Sequence, residues 1–237
     1  MATASPMLKR WADNRDPASL AARLRRRRFA LFESLLSRVP GHVRILDVGG
    51  TPDFWRVIGL SRPNVSVTLL NRTAAAADSG PIHSVVGDAR DMREFADGQF
   101  DVVFSNSVIE HLGTYRDQQA MASEVRRIGT RYFVQTPNRH FPIEPHFLLP
   151  GFQFLPVSLR AGLLARRDVG WYKRADTYEA ALKEVTAIRL LSGTEFRRLF
   201  PEGRLYKERL FGLTKSFTIY HGWDWRPADV FGASANR

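Results

Sequence analysis

Several residues in this chain stand where chemistry could be done, and each set follows a short apolar run. Gly49 and Gly50 come directly after residues 43–48 (VRILDV), where missing side chains let a ligand approach the backbone. Asn71 ends the run at 65–70 (VSVTLL), at a spacing where a nucleoside ribose would lie. Asp88 follows the run at 82–86 and offers an acceptor for an adenine amino group. His111 lies past the fourth run, and His140, Glu144 and His146 lie past the fifth, in NRHFPIEPHF. Imidazole changes charge near neutral pH, so it can take a proton from an attacking hydroxyl. His111 and His146 are the leading candidates for that base, and their positions do not separate them. Each of these residues also has a plain structural use. The glycines would serve a packing turn, Asn71 a surface cap, Asp88 an ordinary turn, His111 a helix cap, and the rest a loop.

The elements that must carry these residues alternate. Residues 1–16 read as a loose arm. A helix is expected from about residue 17, where Pro17 suits the first turn, to about residue 38, with Leu20, Leu24, Leu31 and Leu35 on one face. Strands are expected at 43–48, 65–70, 82–86, 100–104 and 132–135, with a short helix at 53–60. Met121, Val125 and Ile128 give a further helix its buried stripe. Strands separated by helices imply right-handed crossovers and a parallel sheet covered on both faces. In such a sheet, ligands bind at the carboxyl ends of the strands where the winding reverses. The alternation breaks after Pro137, and residues 139–191 read as an inserted cap. A helix near 194–200 then precedes two strands close enough to form a hairpin, so one of them runs antiparallel. The divisions are an arm and Arg-rich helix (1–42), a core (43–138), the cap (139–191) and a closing helix and hairpin (192–237).

Composition limits the chemistry. The chain has 237 residues, enough for one domain with a cap, and no cysteine, which excludes disulfides, thiolate metal sites and cysteine nucleophiles. Its net charge is +11, from 35 basic and 24 acidic residues. The basic residues cluster in RLRRRR at 23–28, and four successive helical residues turn a full circuit, so this run cannot form one solvated face. It would clamp a phosphate or carboxylate, attract anionic headgroups, or simply stay solvated. No apolar run reaches the ~18 residues that span a bilayer. A cytoplasmic protein is expected, with peripheral contact at the inner membrane face left open. The cap aromatics and leucines (Phe147, Leu148, Leu149, Phe152, Phe154 and Leu155) read as the core of a lid, with lipid contact as the alternative.

Taken together, DVGGT (47–51), NRT (71–73), GDA (87–89), FDVVFSNSVIEHL (100–112) and TPN (136–138) resemble the class I S-adenosylmethionine-dependent methyltransferases. The resemblance covers residues 43–138 and the terminal hairpin in outline. It implies a Rossmann-like α/β fold with a seven-stranded, mostly parallel sheet and an antiparallel C-terminal hairpin. It also implies S-adenosylmethionine as cofactor. Asp47, Gly49, Gly50 and Thr51 would hold its methionine end, Asn71 the ribose, and Asp88 and Ala89 the adenine. Ser105 and Asn106 would line the place where the methyl group is presented. The subgroup it looks most like contains the small-molecule and ubiquinone-type O-methyltransferases. Three departures stand out: Thr51 and Asp53 occupy the second and third glycine positions of the first loop, Asn71 replaces an acid, and Ser107 replaces the first carboxylate of a Glu-x-x-Glu-His metal motif. No required metal is therefore expected at Glu110 and His111. A nicotinamide dinucleotide is disfavoured, because Asp53 would repel its pyrophosphate.

The expected activity is methyl transfer to a hydroxyl of a small metabolite, sugar or glycolipid precursor, with an anionic or lipid-linked acceptor in view. Two alternatives compete: an S-adenosylmethionine-binding protein that has lost catalysis, and a basic nucleic-acid-binding protein on the same scaffold. Nucleic acid is the less favoured partner, since no Asn-Pro-Pro-aromatic run follows Asn106 and there is no cysteine for cytosine-C5 chemistry.

Overall fold

The computed structural model describes residues 6–13, 16, 18–58, 64–73 and 80–223. Strand β1 (Val43–Val48) is buried at every residue except Arg44, as a strand covered on both faces must be. It pairs in parallel with β2 (Val65–Asn71) on one side and β4 (Val102–Asn106) on the other. The sheet has seven strands in the order β3-β2-β1-β4-β5-β7-β6, with β3 at Ile82–Val86 and β5 at Tyr132–Pro137. Only β7 (Leu213–His221) reverses direction, running antiparallel to β5 and to β6 (Arg204–Leu210). The expected parallel core and antiparallel hairpin are both present. The winding reverses between β1 and β4, which places the crevice there.

Side chains alternate across the sheet and feed two cores. Helix α2 (Leu20–Leu36) starts at Ser19, whose hydroxyl accepts from the Ala22 amide at 3.0 Å. It lays Leu31, Phe32, Leu35 and Leu36 against Ile45, Val67, Phe104, Phe133 and Trp55. Helix α3 (Pro52–Ile58) supplies that tryptophan, and residues 59–60 of the expected helix lie outside the described residues. On the other face, α4 (Tyr115–Ile128) lays Met121, Val125 and Ile128 against Leu46, Val103 and Val134. Helix α7 (Gly193–Leu199) joins this second core and begins with a reciprocal capping box between Ser192 and Glu195.

The cap contains helices α5 (Val157–Arg166) and α6 (Tyr178–Ala187), which pack around Phe147, Phe152, Leu164 and Val185 as a third core. Phe147, Leu148 and Phe152 are buried, which supports the lid-core reading, whereas Phe154 is exposed. The N-terminal arm is not loose where it is described: residues Pro6–Ala12 form helix α1. A seven-residue helix is not stable alone. Here it has tertiary support, with Lys9 over the Trp171 ring at 5.9 Å. Among the described residues, no helix is long and apolar enough to cross a membrane.

Candidate functional site

The ends of β1, β2, β3 and β4 are tied into one hydrogen-bonded edge. The Asn71 side-chain amide donates to the Gly50 carbonyl at 2.9 Å, and the Gly87 amide donates to the Asn71 carbonyl at 2.9 Å. The Ser105 hydroxyl donates to the Val48 carbonyl at 3.3 Å. Gly49 turns with φ 78°, and a side chain there would stand 2.5 Å from a Val108 methyl. At Gly50 the first atom of any side chain would collide with the Asp47 carboxylate. Bare backbone is thus enforced at this turn.

The sequence-predicted cofactor residues take different roles on this edge. Asp47 is buried and accepts from the Trp55 indole N–H at 2.7 Å. Burial pushes its carboxyl up to about 7, against the opposing effect of Trp55. It braces the turn from below. Thr51 caps α3, its hydroxyl accepting from the Phe54 amide at 3.3 Å. Asp88 is held down to about 2 by hydrogen bonds and charge from Arg90, which also reaches Asp117 at 3.1 Å. Ala89 packs against the α4-side core, and Ser105 is fully buried. Asn106 faces another way, its side-chain oxygen accepting from Arg28 at 2.5 Å. The glycine cradle fits a nucleoside that lies against backbone, with Asn71 and Asp88 following it along the edge. On this fit Gly49, Gly50, Asn71 and Asp88 would contact a bound S-adenosylmethionine, with Asp47, Thr51 and Ser105 shaping the loop.

Beside this edge, at the carboxyl ends of β4 and β5, lies a cavity of about 390 Å³. Asn106, Ser107, Gln135 and His146 line it on one side, and Trp11, Leu20, Arg25 and Arg28 close it from α1 and α2. Among the described residues, the three non-glycine residues with positive φ are Ser107, Leu148 and Phe211, and all three line this cavity. Phe211 is explained by the hairpin turn, since Gly212 beside it is also positive, at φ 79°. Ser107 and Leu148 have no such excuse, and such strain, ~1–3 kcal/mol per residue, concentrates at functional sites.

The titratable residues separate in space. Glu144 is buried and its carboxylate accepts from the amides of His146 (2.7 Å) and Phe147 (2.5 Å) and from His146 Nδ1 at 2.7 Å. Burial would lower the His146 pKa, yet the bond and charge of Glu144, with Glu110, raise it overall. His111 meets His146 edge to face, with ring centroids 4.8 Å apart, and lost hydration plus His146 repulsion lower it to about 4. Glu110 is fully buried, accepts from Thr136 at 3.0 Å through one oxygen, and among the described residues has no partner on the other; burial raises it to about 7. Glu110, His111 and His146 each present one possible ligand atom within 4.8 Å of one another, so among the described residues they are a group that could hold a metal ion. Motif spacing around Glu110 had no means of bringing His146 to that group. His140 stands apart, stacked on Phe154 at 6.4 Å.

Sequence reasoning missed one feature. Arg28 is buried and forms a forked ion pair with Glu208 of β6 at 3.1 and 3.2 Å. Ser216 donates to the same carboxylate at 2.8 Å, and the Lys215 ammonium stands 3.9 Å from it. The Arg-rich run marked one partner, but nothing local marked Glu208.

Residues 46–131 match a family model described as a methyltransferase domain. Two uncharacterized proteins of Mycobacterium tuberculosis, MT1557 and Rv1509, are each 41% identical to the chain over 54 residues, 23% of its length. That match spans 18% of the length of these relatives. Among solved structures, a SAM-dependent methyltransferase from Methanosarcina mazei is 12% identical, with a TM-score of 0.49 over 79% of this chain and 95% of that one. The N-terminal domain of EvdMO1, solved with SAH bound, is 14% identical, with a TM-score of 0.47 over 82% and 78%. The PH0226 protein from Pyrococcus horikoshii is 16% identical, with a TM-score of 0.47 over 83% and 89%.

Proposed function

We propose that this chain, which carries a class I S-adenosylmethionine-dependent methyltransferase domain, methylates a hydroxyl group on a small metabolite, sugar or glycolipid precursor held in the cavity. The observation that carries this reading is His146 in the cavity wall, held from behind by the buried Glu144. Bound S-adenosylmethionine supplies a methyl carbon activated by a positively charged sulfur. The chain's residues must align the acceptor and remove its proton. Glu144 fixes the His146 ring through Nδ1, which leaves Nε2 to accept that proton. The same carboxylate stabilises the imidazolium that results, so His146 is the stronger base. His111 is a weaker base with a depressed pKa and does not line the cavity. The strained backbone at Ser107 and Leu148 supports the cavity as the acceptor site.

A panel of hydroxylated acceptors assayed with the donor tests this reading. His146→Ala should lower kcat by about 10²–10⁴-fold, with donor affinity by calorimetry unchanged; His111→Ala should cost much less. Full turnover in His146→Ala would remove the assigned base. One observation favours a second reading, a donor-binding protein without catalysis: the Asn71 amide is already engaged by Gly50 in a loop lacking its later glycines. Donor binding without turnover across the panel would select it. The nucleic-acid alternative loses ground because Arg25 and Arg28 turn into the cavity, leaving Arg23, Arg26 and Arg27 as the exposed members of the run.

A further inference from the structure

We infer that the cavity takes an acceptor bearing an oxyanion, held at Arg25 and Lys215, with an apolar body against Trp11, Phe141, Leu148 and Trp171. This deepens the proposed function and rests on it for the word acceptor. Arg25, Arg28 and Lys215 line the cavity, and among the described residues no aspartate or glutamate does. A single carboxylate, Glu208, stands behind them. It is committed to Arg28 through three bonds and to Ser216 through one, and it lies 3.9 Å from Lys215.

Arg25 has no hydrogen bond or ion pair among the described residues, although its guanidinium is half-buried and faces the like charge of Arg28. Guanidinium carries five donors in a fork that matches carboxylate and phosphate oxygens. A partly dehydrated charge without a partner is costly to keep, and an incoming anion removes that cost where a neutral molecule does not. Burial and repulsion from Arg28 lower the Arg25 pKa, and burial is the leading cause that lowers Lys215, against the opposing pull of Glu208. Apart from the polar side made by Asn106, Ser107, Gln135 and His146, the wall is largely aromatic and aliphatic, which suits an amphipathic molecule rather than a polyanion. The volume falls within the ~300–1,000 Å³ usual for small-molecule sites.

Matched probes test this without turnover. Binding of 3-phenylpropionate is compared with 3-phenylpropionamide, and dodecyl phosphate with dodecanol, by fluorescence of the cavity tryptophans and by calorimetry at low salt. At least one anion should bind about tenfold or more tightly than its neutral partner. Arg25→Gln should abolish most of that preference without lowering the melting temperature, while Arg27→Gln, exposed on the same helix, should keep it. The tighter anion identifies the source, a small soluble acid or a single-chain lipid phosphate. Equal binding of anion and neutral partner, or a preference that survives Arg25→Gln, would overturn the inference. So would anion binding seen only on phosphatidylglycerol vesicles, since that places the attraction on the outer surface. Titration with S-adenosylmethionine separates the two claims. Donor binding without anion preference defeats this inference alone, and anion preference without donor binding defeats the methyl-transfer reading alone.

Discussion

The Arg28–Glu208 pair gives the sharpest energetic prediction. Its side chains are 9% and 5% exposed and 3.1 Å apart. At an effective dielectric of about 20, charges at that distance attract by roughly 5 kcal/mol. Glu208→Gln keeps the shape and removes the charge, leaving Arg25, Arg28 and Lys215 beside one another with no carboxylate between them. Removing one partner of a buried pair costs about 3–5 kcal/mol. In a domain of this size that lowers Tm by about 6–20 °C. Urea unfolding at pH 7, followed by circular dichroism, measures the loss. A loss under about 1 kcal/mol, the value of a surface pair, would refute the reasoning. The Arg93–Asp91 pair makes the contrast: it is shorter, at 2.6 Å, but 84% and 51% exposed, and Asp91→Asn should leave the unfolding midpoint in place. Arg28→Met combined with Glu208→Leu should recover most of the loss, because a well-packed apolar pair carries no desolvation cost.

Other expectations concern the site. His146 must be neutral to act as a base, and its pKa is raised, so turnover should rise with pH through that value; Glu144→Gln should move this acidic limb to lower pH and reduce kcat. Asp47 binds its proton more tightly folded, at about 7, than unfolded. Its contribution to stability is therefore full below the unfolded value of about 4 and is lost as pH rises through about 7, by up to about 4 kcal/mol. Asp47→Asn should flatten that slope in urea titrations between pH 4.5 and 8, and a variant with the wild-type slope would remove Asp47 as its source. Asp88→Ala breaks a pair whose side chains are 33% and 38% exposed, so stability should change by less than about 1 kcal/mol. Donor affinity by calorimetry should nevertheless fall about tenfold, and unchanged affinity would place the adenine elsewhere.

The sheet was legible because its signal is local. The apolar runs of β1, β4 and β5 are buried on both faces, and their short length, β-branched and aromatic residues and flanking turns mark such strands. The glycine pair was legible for the same reason, as a turn between strand and helix. Helix α1 was not, since seven residues take their order from distant partners such as Trp171. The two cap helices were hidden by the prolines and glycines around them, though Thr177 does cap α6 in the ordinary way, accepting from the Ala180 amide at 3.1 Å. At the site, Glu144 and His146 stood close enough in sequence to be noticed together. Their separation from His111 as the proposed base rests on burial, ring orientation and the position of the cavity, none of which spacing encodes. Residue type marked Ser105 for the cofactor loop, but strand pleat turned it inward onto Val48.

The tie between α2 and β6 also orders events in time. Arg28 leaves the ribosome 180 positions ahead of Glu208. Strands β1 to β5 can assemble while synthesis is still under way, but the cavity cannot be completed until the hairpin has emerged. A chain interrupted before β6 would retain the glycine turn and strand ends yet leave Arg28 facing an unfinished, greasy gap. The glycine turn and the cavity are therefore completed at different stages of the protein's birth.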